Sequence, residues 1–320
     1  MSEIEYRQLG RSGLIVSTIG LGCNNFGRAG TASETQAGTD AVIHAAIDAG
    51  VSFFDAADTY GKVRGLSEML MGNSLKGHRD RIVLATKFGM DMEGVNGPDW
   101  GARNSRRYIR RAVETSLTRL QTEWIDLYQL HERDGVTPIE ETLATLDDLI
   151  TEGKIRYIGH SNLAGWQIAE AEFTAALNHH PRFISAQNEY NLLVRQVEKE
   201  VLPAVNAYGL GFLPFFPLYN GLFTGKFSRN GGPAESRIMR TRSHLQENAP
   251  WDTIQRYERF CAERGVTMLA ATFAWLLAQP GLTSVIAGAT TPEQIVQNAQ
   301  AATNWRPAAA ELAEVSELFA

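Results

Sequence analysis

Cysteine is nearly absent from this chain. Cys23 and Cys261 are the only two, they lie far apart, and neither belongs to a CxxC. That excludes a disulfide framework and a cysteine zinc site, and it suits reduced thiols in a cytoplasmic protein. Histidine is also scarce, seven in all, with no HExxH or comparable spacing, so no metal site is expected. His179-His180 precedes Pro181 and reads as a helix end rather than a ligand pair. No apolar run approaches the ~18–20 residues that span a bilayer. The opening Met1-Ser2-Glu3-Ile4-Glu5-Tyr6-Arg7 lacks the basic and apolar regions of a signal peptide, so neither membrane nor export is expected. Lys and Arg are scattered and the formal net charge is -6, which argues against nucleic acid as a partner. Glycine-rich phosphate loops are missing too. Gly20-Leu21-Gly22-Cys23-Asn24-Asn25 has asparagine where GxGxxG needs its third glycine, and no GxxxxGK[ST] occurs. Both a Rossmann site and a P-loop are therefore disfavoured.

What is present is a large core and a rhythm. The 320 residues are 44% hydrophobic and 21% charged, enough for one large domain or two small ones. A small hairpin is expected over residues 6–16, with Gly10 and Gly13 flanking its turn. After it come eight candidate strands, at 18–21, 51–54, 82–86, 125–130, 155–158, 183–187, 211–215 and 284–287. Helical stripes separate them at 40–49, 67–75, 105–120, 138–152, 164–177 and 197–208. A long polar loop, 220–250, and helices at 251–263 and 267–279 interrupt the pattern before the last strand, and a final helix is expected at 308–319. Strands alternating with helices eight times predict a parallel sheet closed into a (β/α)8 TIM barrel, with an N-terminal β-hairpin and extra C-terminal helices. No linker divides the chain, so residues 1–320 are expected to form a single domain.

In such a barrel, chemistry sits at the C-terminal ends of the strands. Asp55 closes the second strand and Tyr60 follows in its loop; Lys87 closes the third, and His131 the fourth. Singly, each has an ordinary reading: a helix cap, a solvated edge or a loop residue. Together, an acid, a phenol, an ammonium and an imidazole on consecutive strand ends make a coherent set. A nearby ammonium is expected to lower the phenol's pKa, a carboxylate to hold the ammonium, and the imidazole to donate to the oxygen that the phenol protonates.

These residues carry a resemblance. Asp55-x4-Tyr60-Gly61 with Ser67-Glu68 and Gly72, Thr86-Lys87, and Leu127-Tyr128-Gln129-Leu130-His131 resemble the aldo-keto reductase superfamily. So do residues 9–17, Gly153-Lys154-Ile155-Arg156-Tyr157-Ile158-Gly159 and Gly221-Leu222-Phe223-Thr224-Gly225-Lys226. The resemblance spans nearly the whole chain, and it implies NAD(P)H-dependent carbonyl reduction on a (β/α)8 barrel. It implies Tyr60 as general acid, Lys87 and Asp55 as the pair that tunes it, and His131 as the donor that orients the substrate.

For the cofactor, the resemblance implies that Ser161, Asn162 and Gln187 hold the nicotinamide carboxamide and that Phe215 stacks on its ring. It also places Gly22, Asn24, Asp55, Pro217, Leu218, Gly221, Gly288 and Asn298 around the cofactor. Phe215 stands where tyrosine or tryptophan is usual, Phe216 where serine is usual, and His160 where valine is common. The last segment, 288–298, is similar to the branch that includes the potassium-channel beta subunits and many bacterial reductases. There Lys226, Arg237, Thr290 and Gln294 would hold the phosphates, which points to NADP(H) first and NAD(H) second. Lys226 and Arg237 as plain solvated loop charges is the alternative reading.

The leading expectation is thus a cytoplasmic oxidoreductase acting on a small-molecule carbonyl. A redox-sensing regulatory subunit that binds NADPH and barely turns over is the second; His131 disfavours it, because the channel subunits carry asparagine there. A metal-dependent barrel hydrolase lacks the necessary His/Asp cluster. The substrate is not legible, since the rim loops 89–104 and 220–250 would shape its pocket; Met92 and Trp100 read equally as pocket walls or as packing.

Overall fold

The computed structural model describes residues 4–320. An antiparallel hairpin opens it: β1 (Tyr6–Gln8) pairs with β2 (Ile15–Ser17), Arg7 opposite Val16. Gly10 in the turn has φ of 57°, and a Cβ there would stand 2.3 Å from the carbonyl oxygen of Ile184. Only glycine meets both the left-handed backbone and this close approach.

Strands and helices then alternate: β3 (Ile19–Gly22), α1 (Gln36–Asp48), β4 (Phe53–Asp55), α2 (Leu66–Ser74), β5 (Val83–Phe88), α3 (Arg106–Leu120), β6 (Ile125–Leu130), α4 (Ile139–Thr151), β7 (Ile155–Ser161), α5 (Gly165–Asn178), β8 (Ser185–Gln187), α6 (Val201–Tyr208) and β9 (Gly211–Phe212). Next come α7 (Arg237–Thr241), α8 (Ser243–Glu247), α9 (Trp251–Glu263), α10 (Met268–Leu277), β10 (Val285–Gly288), α11 (Pro292–Ala301) and α12 (Ala309–Leu318). The eight strands from β3 onward form one parallel sheet in the order β10-β3-β4-β5-β6-β7-β8-β9. Its two edges meet: the Phe212 N–H donates to Gly281 O at 2.8 Å, Thr283 N–H to Phe212 O at 3.0 Å, and Ile286 N–H to Pro214 O at 3.2 Å. The result is the expected (β/α)8 barrel. No single helix among the described residues is long and apolar enough to cross a membrane.

Differences from the sequence reading are local. The predicted strand 211–215 ends at Phe212, just before Pro214, which has no N–H for the ladder. The helix expected from 40 begins at Gln36, because the Thr35 side chain accepts the Gly38 N–H as an N-cap. The helix expected from 197 begins at Val201, its first turn being a separate 3-10 turn at Gln196–Glu198. The loop 220–250 contains α7 and α8.

Two cores follow from the period-two alternation of strands. Phe53, Ala85, Leu127, Leu213 and Ile286 point into the barrel, where Leu9 and Val16 of the hairpin pack against them. Their sequence neighbours Phe54, Leu84, Tyr128 and Phe212 point outward into the shell beneath the helices. The same alternation turns the next inward positions, Asp55, Lys87 and Gln129, into the barrel above its apolar floor.

The outer shell carries a buried polar network below α2 and α3. Glu68 Oε2 lies 3.1 Å from Arg119 Nη1, and the Thr86 hydroxyl donates to Glu68 Oε1 at 2.7 Å. Arg119 also donates to Asn96 Oδ1, whose amide donates to Asp58 Oδ2 at 3.2 Å. Glu68 and Asp58 are fully buried, and burial pushes both carboxyls up. One guanidinium thus serves two buried acids, anchoring the loop that carries Tyr60. Arg119→Met should cost about 3–5 kcal/mol, because Glu68 would lose its buried counter-charge. Arg106→Met, breaking the largely exposed pair with Asp148, should cost about 0–1 kcal/mol. Urea denaturation of both variants checks the contrast, and equal losses would contradict it.

His160, on the outer side of β7, is fully buried against the Phe183 ring, at 5.2 Å between centroids. Neither ring nitrogen has a partner among the described residues, and burial pushes the imidazole down to about 3. An unfolded chain would protonate this histidine near pH ~6.5. As pH falls below that value the unfolded state gains a proton that the folded state refuses, so stability declines until the folded group titrates. His160→Val should therefore flatten the decline of the urea midpoint between about pH 6.5 and 4. Parallel curves for variant and parent would show that His160 takes no part in it.

Candidate active site

Lys87, expected to close the third strand, is fully buried one residue short of the end of β5. Its Nζ donates to Asp55 Oδ2 at 2.7 Å, to Ala56 O at 2.8 Å and to the Tyr60 hydroxyl oxygen at 3.3 Å. Those three bonds use every N–H of an ammonium. Asp55 is held from its other side, where Gln129 Nε2 and Gln187 Nε2 each donate to Oδ1 at 3.0 Å. Tyr60 is half-buried, and because its oxygen accepts from Lys87, its own proton is left to point elsewhere. His131 follows β6 with its ring edge-on to Tyr60, centroids 6.1 Å apart at 84°. The four residues, from three consecutive strand ends, are thus brought to one point.

Burial opposes the Lys87 charge, but Asp55 and Tyr60 more than offset it, and the ammonium is held above its ordinary range. For Tyr60 the balance differs from the expectation. Burial raises the phenol, Lys87 pulls it back, Asp55 raises it again, and the net direction is upward. The phenol therefore carries its proton at neutral pH. His131 is pushed well down, by burial first and by Lys87 second, so its ring is neutral. Its Nδ1 has no partner among the described residues. Cys23, beside this cluster, is buried with its thiol pushed well up, which leaves it unreactive.

The second group of predicted residues lines the neighbouring rim. The Ser161 hydroxyl donates to Gln187 O at 2.8 Å, and Asn162, left-handed at φ 60°, donates to His131 O at 3.1 Å. Gln187 has a second task, since one N–H of its amide is given to Asp55. Phe215 is half-buried, edge-on to Phe216 at 5.2 Å. Beyond it the chain turns through Pro217 and Leu218 with Phe216 at φ 50°, Tyr219 at 47°, Asn220 at 61° and Gly221 at 106°. Three non-glycine residues in the left-handed region within one loop store strain of the kind found at ligand sites. Gly22 and Gly288 are register partners on β3 and β10, so this part of the rim is bare backbone. Asn24 Oδ1 is buried there without a partner among the described residues. Past β10, the Thr290 N–H and hydroxyl both donate to Gln294 Oε1, at 2.8 and 3.1 Å, and Asn298 Nδ2 reaches Gly288 O at 3.5 Å. Lys226 is exposed, whereas Arg237 is half-buried with its guanidinium 5.2 Å from the Phe216 ring centre.

Several residues escaped the sequence reading. Gln129 sits two positions after inward-facing Leu127, so the alternation alone could have marked it. Asp58 and Arg119 needed the helix packing, and Arg28 and Arg242, which also flank the rim, come from loops with no periodic signal. Met92 is buried, and Trp100 is 77% exposed beneath the Arg107 guanidinium, which lies 4.2 Å from its ring centre.

Comparison with known proteins agrees with this geometry. The chain matches the Aldo/keto reductase family from residue 18 to residue 319. An uncharacterized oxidoreductase of Bacillus subtilis (strain 168), YrpG, is 36% identical over 91% of this chain and 89% of its own. The L-glyceraldehyde 3-phosphate reductase of Escherichia coli (strain K12) is 32% identical over 99% of this chain and 93% of its own. A probable voltage-gated potassium channel subunit beta of Oryza sativa subsp. japonica is 34% identical over 93% of this chain and 91% of its own. With its barrel, its strand-end cluster and these relatives, the chain belongs to the aldo/keto reductase family of oxidoreductases.

Proposed function

We propose that this protein reduces aldehydes or ketones to alcohols with NADP(H), Tyr60 supplying the proton. The observation that carries the reading is the Lys87 ammonium, whose three N–H groups are all committed, one of them to the Tyr60 oxygen. A substrate carbonyl oxygen placed between Tyr60 and His131 would accept the phenol's proton and an N–H from the neutral imidazole. As the phenol gives up its proton, the nearby ammonium stabilises the phenolate that forms. Asp55, fixed by Gln129 and Gln187, keeps that ammonium in place. When bound, a reduced nicotinamide supplies the hydride to the carbonyl carbon.

The rim suits such a cofactor. Its bare glycine backbone at Gly22 and Gly288 permits close approach, and Asn24 Oδ1 awaits a donor. Ser161 and Asn162 offer polar groups to a carboxamide, Phe215 a ring face, and Lys226 and Arg237 cations to phosphate. Arg237, without a carboxylate partner among the described residues, favours NADP(H) over NAD(H). An aldehyde-reducing relative supports a carbonyl substrate. The relative named as a channel beta subunit supports the second reading, an NADPH-binding redox-sensing subunit with little turnover. We place the protein in the cytoplasm.

Tyr60→Phe keeps the ring and removes the hydroxyl, and with it the transferable proton and the oxygen that accepts from Lys87. It should lower NADPH-dependent reduction across a panel of aldehydes by about 10²–10⁴-fold, while NADPH affinity, followed by fluorescence titration, stays within about twofold. Full activity in the variant would refute Tyr60 as the donor. Absence of turnover in the parent with every carbonyl would favour the sensor reading.

A further inference from the structure

Three guanidiniums crowd the mouth of the site without carboxylate partners. Arg28 comes from the loop after β3, Arg237 and Arg242 from the two ends of α7, and none forms an ion pair among the described residues. Arg237 and Arg242 both lie 5.2 Å from the ring centre of Phe216. Arg242 donates to Asn220 Oδ1 at 3.1 Å, and Arg28 to Asn24 O at 3.3 Å, so both are held by neutral groups only. Glu189, half-buried, is within electrostatic reach of Arg242 but makes no ion pair with it. The arrangement is built. Arg240 donates to Gly30 O at 2.7 Å and to Ala29 O at 3.0 Å, joining α7 to the Arg28 loop.

All three arginines are partly sheltered from water, and they repel one another. Burial first, then Arg28 and Arg242, push Arg237 down to about 10, and burial with Arg242 lowers Arg28. Like charges held together at partial burial are costly unless an anion joins them. Arg28 and Arg237 also sense the Tyr60 hydroxyl electrostatically, so an anion among them would lie near the reacting carbonyl.

We propose that Arg28 and Arg242, beside Arg237, form an anion subsite that selects carbonyl substrates bearing a carboxylate or phosphate. The inference rests on the carbonyl-reductase reading above and narrows its substrate class. Arg28 and Arg242 are specificity residues, and the planar fork of a guanidinium suits either anion in bidentate fashion. The same charges could instead meet a phosphate of the cofactor, so the test separates the two sources.

The test compares kcat/KM for 4-carboxybenzaldehyde and 4-methylbenzaldehyde, similar in shape and different in charge, at saturating NADPH. The parent should prefer the carboxylated aldehyde, and Arg28→Gln and Arg242→Gln should each lower the ratio of the two values by about tenfold or more. The ratio of NADPH to NADH affinity, titrated separately, should not follow. An unchanged substrate ratio overturns the proposal, as does a loss confined to NADPH affinity, which would assign the arginines to the cofactor's phosphate. Should the parent turn over neither these two aldehydes nor any other carbonyl of the panel, the reductase reading fails on its own. Calorimetric binding of 4-carboxybenzyl and 4-methylbenzyl alcohol to the NADP⁺-loaded protein then decides the subsite. Preference for the carboxylate that Arg28→Gln abolishes supports it, and no preference overturns it.

Discussion

The buried pair of Lys87 and Asp55 is the interaction on which the rest of this site depends. Two charges 2.7 Å apart inside a barrel would be a liability by themselves, since desolvation of each ion can exceed their attraction. Here every remaining valence is met. Ala56 O and the Tyr60 oxygen take the other two N–H groups of Lys87, while Gln129 and Gln187 satisfy the second Asp55 oxygen. The pair is therefore a fixed electrostatic element, and its third contact aims it at a phenol.

The barrel makes that element possible by dividing labour between its two ends. The hairpin and the inward residues Phe53, Ala85, Leu127 and Leu213 fill the floor with apolar side chains. Above them the same alternation delivers Asp55, Lys87 and Gln129 into the lumen. The outer faces do a different job, with Glu68 and Arg119 fixing the loop that presents Tyr60. Polar groups thus lie on both sides of β5: Lys87 inside and Thr86 outside, each with a defined partner.

Much of this was legible in the sequence, and the reasons for success and failure are physical. Strand positions followed from short β-branched and aromatic runs, so Asp55, Lys87 and His131 could be placed at strand ends before any geometry was known. The sign of the Tyr60 shift was not legible. Lysine proximity can be guessed from strand order, but the competing cost of burial depends on what covers the phenol. Gln187 illustrates another limit: its place on the rim was readable, its commitment to Asp55 was not. Arg28 and Arg242 were wholly hidden, because they lie in loops 214 positions apart in sequence and meet only through the α7 segment. Element boundaries slipped where capping or proline chemistry intervened, as at Thr35 and Pro214.

Proton donation at this site requires a Tyr60 that holds its proton at neutral pH beside a permanently charged lysine. Its most direct test is the Cζ chemical shift of Tyr60 in protein carrying [13Cζ]-tyrosine, with the resonance assigned by its absence in Tyr60→Phe. Followed through a pH titration, this signal should remain that of a neutral phenol across the neutral range and move only above about pH 10. Ionisation below about pH 8 would mean that Lys87 outweighs burial, and would contradict the electrostatic balance described for this site.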